Sequence, residues 1–374
     1  MNRARTEVED LAPGNHFKCD CLALAEPTIP CNCALKQCPG IGQMCEENSE
    51  MKAIVVAAGG VEYLDAEAPK PSADQVLVEV RAMGLNRADL AVAAGGAHGS
   101  VGGAGTIVGM EWSGDVVEVG ANVTHVKPGD RVMCSGGSGF AELAVADRGR
   151  VQKIPDANVS YETAATLPIA LYTMHNAVVS RGRLAEGESI LIQGASSGVG
   201  LMAMQIAKHR GAGLVIGSST NTERRGKLAE YGADLAIDTT DKSWPDQVQE
   251  ATGGKGVDLI VDQISASVAN ANLKAAAVLG RIVNVGRLGG GKGEFDFDLH
   301  ALKRIEYIGV TFRTRSLDEV REIGRLVRED LWDAVVAGKL SLPIDRTFQL
   351  SDGADALAHM AANKHFGKIV MTTG

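Results

Sequence analysis

Long apolar runs and an excess of positive charge are missing from this sequence, and each lack excludes a class of protein. No segment approaches the roughly 18 consecutive apolar residues of a membrane-spanning helix, so no membrane contact is expected. The formal net charge is −9 and there is no basic stripe, which argues against nucleic-acid binding. The N-terminus lacks the uninterrupted apolar segment of a secretory signal peptide.

Cysteine is almost confined to the first 50 residues. Those residues hold Cys19, Cys21, Cys31, Cys33, Cys38 and Cys45, and only Cys134 follows. A body with one cysteine is typical of a reducing compartment, so we expect a cytoplasmic protein. The N-terminal spacings do not match a zinc knuckle or ribbon, although a soft metal is not excluded. The composition favours a poorly ordered extension over residues 1–50.

The 374 residues are too many for one ordinary domain, and two are expected. Residues 51–175 contain short β-branched or alternating runs between turns of Gly, Pro and Asp, which predicts a small β-barrel-type domain. A helix is expected from Pro168 to about residue 180. From 176 to 312, strands, among them 257–262 and 307–312, alternate with helices, among them 268–279, which predicts a doubly wound parallel sheet. The segment 313–374 is expected to hold helices at 317–327 and 331–338 and a strand at 368–372 that returns to the first domain.

One segment combines a strand, a turn of small residues and a helix. The apolar run 190–192 leads into Gly194-Ala-Ser-Ser-Gly-Val-Gly200, and helical spacing follows over 198–209. Such a turn lets backbone N–H groups approach a pyrophosphate, and the helix N-terminus adds partial positive charge. A plain structural turn is the alternative, but the strand and helix around it favour dinucleotide binding.

Several motifs occur in a fixed order along the chain. They are Gly84-Leu-Asn-Arg-Ala-Asp89, Val108-Gly-Met-Glu-Trp-Ser-Gly114, Pro128-Gly-Asp-Arg-Val132, the turn at 194–200, and Gly367-Lys-Ile-Val370. With these motifs the chain, from residue 51 to 374, resembles the medium-chain dehydrogenase/reductases. Within them it is similar to the zinc-independent quinone oxidoreductases related to zeta-crystallin. The resemblance implies a GroES-like catalytic domain, a Rossmann domain and a homodimer.

Positions 86 and 110 indicate whether the chain can bind zinc. The alcohol dehydrogenase branch has Cys where this chain has Asn86, and His where it has Met110. An amide and a thioether are poor Zn²⁺ ligands, so no metal is expected in the body of the protein. Without Lewis-acid polarisation, the acceptor is expected to be an already electrophilic quinone, enone or enal.

NADPH is the expected cofactor. The strand 214–216 is followed by hydroxyl side chains rather than by the Asp or Glu that reads the ribose of NAD. Arg224, one helical turn further, stands where the family often has a cation for the 2′-phosphate. Both Arg224 and Arg225 could instead be solvated helix charges, which is the preferred interpretation for Arg225. The adenosine and phosphate contacts are predicted at Ala195, Ser196, Ser197, Gly198, Val199, Ser218, Ser219, Thr220, Arg224 and Lys368, with Ser197 as an additional phosphate donor.

The resemblance also implies the residues around the nicotinamide. They are Asn86, Thr173, Val285, Gly286, Arg287, Phe312 and Arg313, and Asn86 and Thr173 are the catalytic candidates. Asn86 could equally be a helix N-cap, and Thr173 a buried helix residue. Two family tyrosines are replaced, by Ala91 and Thr239, which weakens the prediction of quinone stacking. His175 and Tyr172 could relay a proton but are more typical of packed helix residues.

Three functions remain open from the sequence. The first is NADPH-dependent reduction of quinones, in which positioning supplies most of the rate. The second is reduction of the double bond of 2-enals or enones, which needs a proton donor near the nicotinamide. The third is a crystallin-like binding or structural role with little turnover.

Overall fold

The computed structural model describes residues 50–99, 101–155 and 158–374. The predicted Cys-rich extension therefore lies outside the described residues, apart from Glu50. The first half comprises β1 (Glu50–Ala57), β2 (Gly60–Glu67), β3 (Gln75–Gly84), α1 (Arg87–Ala93), β4 (Ala97–His98), β5 (Val101–Gly102), β6 (Glu111–Val119), β7 (Arg131–Ser135), β8 (Leu143–Asp147), β9 (Val151–Lys153), α2 (Tyr161–Ala164) and α3 (Pro168–Met174).

Strands and helices alternate in the next part of the chain. It comprises β10 (Ser189–Gln193), α4 (Gly198–His209), β11 (Leu214–Ser218), α5 (Thr222–Gly226), β12 (Leu235–Ile237), α6 (Trp244–Ala251), β13 (Val257–Asp262), α7 (Ala269–Ala275), β14 (Ala276–Asn284), α8 (Phe297–Lys303) and β15 (Glu306–Gly309). The last part comprises α9 (Leu317–Val336), β16 (Ile344–Gln349), α10 (Gly353–Ala361) and β17 (Lys368–Thr372).

The β-rich half is built on a mixed sheet of seven strands. Its order is β16-β17-β3-β6-β7-β9, and β8 pairs with β3 outside this path. Trp112 and Phe140 are fully buried in its core. Gly109, three residues before Trp112, has φ +109, and a Cβ atom there would lie 2.4 Å from the Phe140 ring. The predicted return of the C-terminus is confirmed, since β17 pairs antiparallel with β3.

The second sheet is parallel, with strand order β12-β11-β10-β13-β14-β15. The strand β10 is central, since Ile190 pairs with both Val215 and Leu259, and both of its faces are covered, since the consecutive residues 190–192 are fully buried. Strand order reverses beside β10, so the turn after β10 lies at the switch point where such sheets bind ligands. The predicted fold class, a β-barrel-type domain with a doubly wound parallel sheet, is confirmed.

Several predicted element boundaries were wrong. The two helices expected at 317–327 and 331–338 are one continuous helix, α9, because Val327, Leu331 and Val335 form one buried stripe across the polar residues between them. The helix expected at 268–279 ends at Ala275, where β14 begins and pairs with β13. The helix that starts at Pro168 changes to π-helical geometry over residues 175–181. The strand expected at 307–312 is Glu306–Gly309.

No helix within the described residues is both long and apolar enough to cross a membrane.

Candidate active site

The glycine turn lies between β10 and α4, as predicted. Gly194 has φ +70, and a Cβ atom on Gly200 would lie 2.6 Å from the Gly194 carbonyl oxygen. Small residues are therefore required here. Ser197 is the N-cap of α4: its Oγ accepts from the Gly200 N–H at 3.1 Å and lies 2.9 Å from the Gly194 carbonyl oxygen. Because the hydroxyl already serves as a cap, the role of Ser197 as a phosphate donor stays a prediction.

Hydroxyl side chains follow β11, and two of them support the turn. The Ser218 hydroxyl is buried, donates to Gln193 Oε1 at 2.7 Å and accepts from the Gly194 N–H at 3.0 Å. Ser219 Oγ lies 3.0 Å from Ser196 Oγ. Thr220 is exposed. The strand thus ends without a carboxylate at positions 218–220, as an NADPH site requires.

Two arginines bind Asn363, which lies in the C-terminal segment of the chain. Arg224 donates to the carbonyl oxygen of Asn363, and Arg87 donates to the Asn363 side chain. Burial and the charges of Arg87 and Arg224 lower the pKa of nearby His365 to about 4. Arg87 and Arg224 therefore make the surroundings of Asn363 positively charged. Arg87 was missed in the sequence, although it follows Asn86 directly in the first motif.

Arg225 has a structural role instead of being a solvated charge. Its guanidinium donates to the Ser219 carbonyl oxygen at 2.8 Å and to Asp238 at 2.9 Å. These bonds hold α5 against the residues that follow β12. The neighbouring Arg224 donates instead to the Asn363 carbonyl oxygen.

A buried polar cluster joins Lys368, Glu111 and Asn86. The Lys368 ammonium forms an ion pair with Glu111 and donates to Asn86 Oδ1 at 3.1 Å. Asn86 Nδ2 donates to Glu111 at 2.9 Å, and the second oxygen of Glu111 accepts the Ile169 N–H at 2.9 Å, at the start of α3. Lys368 also lies against the glycine turn, since a Cβ atom on Gly198 would be 2.8 Å from its Cδ. Asn86 is also the N-cap of α1, whereas its catalytic and cofactor-binding roles stay predictions.

A cavity of about 280 Å³ lies between the β-rich half and the residues after β15. It brings together three predicted residues, Thr173, Phe312 and Arg313, and it is also lined by Met110. The residues predicted after β14, Val285, Gly286 and Arg287, are not among the described residues that line it. They stand at the carboxyl end of β14, where Gly286 is packed against the Gln263 backbone.

One aspartate and two arginines of this cavity, Asp89, Arg150 and Arg315, were not predicted as site residues. Asp89 is fully buried, and burial raises its pKa to about 7. Its Oδ2 accepts the Asn86 N–H at 2.7 Å, whereas its Oδ1 has no hydrogen-bond partner among the described residues. Arg150 also lines the cavity. Asp89 ends the first sequence motif, but a polar residue that caps a helix resembles any other cap in sequence, so the motif did not mark it as a cavity residue.

The two proton-relay candidates are held by other groups. His175 Nε2 lies 2.7 Å from Asp330, and His175 does not line the cavity within the described part of the chain. The Tyr172 hydroxyl lies 3.1 Å from Gln152 Nε2 and 3.3 Å from the Gly149 carbonyl oxygen. Tyr172 lines the cavity, but its hydroxyl is engaged elsewhere.

Two family models match the chain. One, described as "Alcohol dehydrogenase GroES-like domain", matches residues 72–156, and the other, "Zinc-binding dehydrogenase", matches residues 198–329. Together they cover more than half of the sequence. The chain belongs to the medium-chain dehydrogenase/reductase superfamily.

Relatives within the superfamily are diverse. The chain is 30% identical over 317 residues to the highly reducing polyketide synthase easB of Emericella nidulans, and the match covers 82% of this chain. The chain spans only 12% of that protein's length. An alcohol dehydrogenase superfamily protein from Novosphingobium aromaticivorans has a TM-score of 0.78 and 29% identity, covering 87% of this chain and 100% of its own. A quinone oxidoreductase from Pseudomonas syringae has a TM-score of 0.76 and 26% identity, with the same coverage of both chains.

The superfamily binds nicotinamide cofactors, and the residues present fit one. The turn at 194–200 leaves space that side chains would fill, it opens the 12-residue helix α4, and Lys368 supplies a cation beside it. By contrast, no group of three or more His, Cys, Asp or Glu residues within the described ranges could hold a metal ion.

Gly200→Ala should impair cofactor binding. The added Cβ would meet the backbone of Gly194 and Ala195 within 2.7 Å, so the turn must widen. We expect the Kd for NADPH, measured by fluorescence titration, to rise at least about tenfold, which equals about 1.4 kcal/mol. Gly226→Ala is the matched control, because no atom lies within 4 Å of the added Cβ. Equal affinities of the two variants would contradict a cradle at this turn.

Proposed function

We propose that this chain is an NADPH-dependent oxidoreductase that reduces a quinone or another conjugated carbonyl compound without zinc. The observation that carries the proposal is the side-chain chemistry at the two zinc positions of the alcohol dehydrogenase branch. Met110 presents a thioether at the cavity, and the Asn86 amide is bound to Lys368 and Glu111. Neither offers Zn²⁺ a suitable ligand. The acceptor must then be electrophilic by its own conjugation.

The preference for NADPH rests on the residues after β11. Positions 218–220 carry hydroxyls, so nothing there repels a 2′-phosphate, and Arg224 and Arg87 supply positive charge nearby. A guanidinium binds phosphate in a fork geometry that an ammonium lacks. When bound, the nicotinamide supplies a hydride to the acceptor.

Arg224→Ala should weaken NADPH selectively. The variant loses a cation for the 2′-phosphate, so the KM for NADPH should rise about tenfold while the KM for NADH changes little. Arg325→Ala is the control, since Arg325 pairs only with glutamates of its own helix, α9. Steady-state kinetics with NADPH and with NADH measure the two KM values. A parallel rise in both KM values would mean that Arg224 only holds Asn363.

Asp89 favours the double-bond reductase as a second candidate function. Reduction of a carbon–carbon double bond needs one proton at the α-carbon in addition to the hydride at the β-carbon. Asp89 lines the cavity, its Oδ1 is free of partners in the described structure, and its pKa of about 7 suits a general acid near neutral pH. Solvent would then reprotonate the carboxylate. Quinone reduction needs no such acid, because water protonates the product.

Asp89→Asn separates the two activities. The amide oxygen can still accept the Asn86 N–H, so the cap of α1 is kept, but the exchangeable proton is lost. We expect kcat for a 2-enal to fall about 100-fold and kcat for a quinone to fall much less. In the wild type, enal turnover should decline as the pH rises above about 7, because the acid form is depleted, and the variant should lack this decline. An equal loss with both acceptors and an unchanged pH profile would indicate a structural role only.

We also propose a homodimer formed through the β15 edge of the parallel sheet. β15 has a neighbour on one side only, and exposed apolar side chains lie on the adjoining elements: Val278, Leu279, Phe297, Leu302 and Tyr307. An unpaired edge and exposed apolar surface are both typical of subunit contacts. Sedimentation velocity tests this, and a mass near 39.1 kDa would show a monomer.

A further inference from the structure

The cavity is cationic although the chain as a whole is acidic. Arg150, Arg313 and Arg315 all line it, whereas the formal net charge of the chain is −9. The other titratable side chains of the wall add little negative charge. Burial and the charge of Arg313 lower the pKa of His98, which favours its neutral form. The pKa of Asp89 is raised to about 7, so this carboxyl is largely protonated below that pH.

Arg150 forms no ion pair within the described residues, although its backbone is held in a capped turn. It ends a 3₁₀ turn, Arg148–Arg150, that Asp147 caps by accepting the Gly149 N–H at 2.9 Å. The Asp147 carboxylate is bound in turn by Arg321 at 2.7 Å. The Asp147 carboxylate, which lies near Arg150, is therefore already paired with Arg321. The position of Arg150 is fixed by its backbone, and its guanidinium is left to face the cavity.

Arg150 is half-buried, and one of its donors lacks a partner. Its Nε is inaccessible to solvent and has no hydrogen-bond partner in the part of the chain that the structure describes. Burial lowers the pKa of Arg150, but a guanidinium remains charged in proteins. A half-buried charge without a counterion is unfavourable, so an anionic ligand beside it would stabilise this arrangement.

The neighbouring arginines differ from Arg150. Arg315 is bound to Asn176 at 3.0 Å and to the Thr311 carbonyl oxygen at 3.0 Å. Arg313 is exposed at the cavity mouth, and its side chain makes a long contact of 3.4 Å with Thr311 Oγ1. Arg313 can steer an anion inward, while Arg150 has the unused donors to bind one.

We infer that the acceptor reduced in this cavity carries a carboxylate, which Arg150 binds end-on through one N–H of each of its two Nη atoms. Two parallel N–H donors match the two oxygens of a carboxylate. A cavity of about 280 Å³ is at the small end for ligand sites, so the acceptor is a short unsaturated oxo acid rather than a large quinone. This inference rests on the proposed function, whose acceptor class it narrows.

The test compares an acid with its uncharged ester. The probes are (E)-4-oxopent-2-enoate and its methyl ester, which share the conjugated system. For the wild type with NADPH, kcat/KM should be about 30-fold higher for the acid, as expected for charge-assisted hydrogen bonds. In Arg150→Gln this ratio should fall to near one, and Arg150→Lys should recover only part of it, because an ammonium lacks the fork. Equal kcat/KM values for acid and ester in the wild type would overturn the inference.

Arg148→Gln is the matched control. Arg148 is exposed, pairs with Asp74 at 3.2 Å and does not line the cavity. This variant should keep the preference for the acid. Arg150→Gln should unfold at the same temperature as the wild type or higher, since it removes an unpaired, half-buried charge. A large loss of stability in Arg150→Gln would show that the arginine has a structural role.

A binding measurement separates this inference from the proposed function. The saturated acid, 4-oxopentanoate, cannot be reduced at a double bond, and calorimetry gives its affinity directly. It should bind the wild type about 30-fold more tightly than it binds Arg150→Gln. Retained binding without turnover of any acceptor would reject the oxidoreductase and keep the anion site. Turnover of quinones and enals without preference for the acid would reject the anion site alone.

Discussion

The buried ion pair between Lys368 and Glu111 connects the parts of the molecule that form the site. Glu111 starts β6, the central strand pairing with β3, and Lys368 starts β17, the last strand. The side chains of both are at most 6% exposed. Breaking a buried pair by removing one partner typically costs about 3–5 kcal/mol, because the other charge is left unpaired. The pair therefore strongly constrains how the C-terminal segment packs against the β-rich half.

This constraint also positions the proposed reacting groups. Glu111 accepts the Ile169 N–H, so the pair fixes the start of α3, the helix that carries Thr173 into the cavity. Asn86 joins the same cluster and caps α1, which carries Asp89. On the other side, Gly367 is bridged to Ser197 at the glycine turn. The glycine turn at 194–200 and the cavity are thus connected through one polar cluster.

Much of this arrangement could be predicted from sequence because it depends on local patterns. The helix at 198–209 and the strand at 257–262 were predicted to the residue, since buried β-strands and glycine turns have strong local signals. The strand β16 was missed because its half-exposed residues lack a clear period. The helix α10 was missed although Ala356, Leu357 and Met360 are buried at helical spacing. Two charged residues of the cavity, Arg150 and Asp89, were not predicted as neighbours either. Arg150 and Asp89 are 61 positions apart, and only the fold brings both to one wall.

The central claim is that this superfamily member reduces conjugated acceptors without zinc, and one assay tests it directly. NADPH oxidation would be followed with a panel of quinones, 2-enals and simple ketones, each with and without a metal chelator. The account predicts turnover of the conjugated acceptors that chelation does not change, and little turnover of ketones. Ketone turnover that is lost on chelation would contradict it, and so would the absence of turnover with every conjugated acceptor.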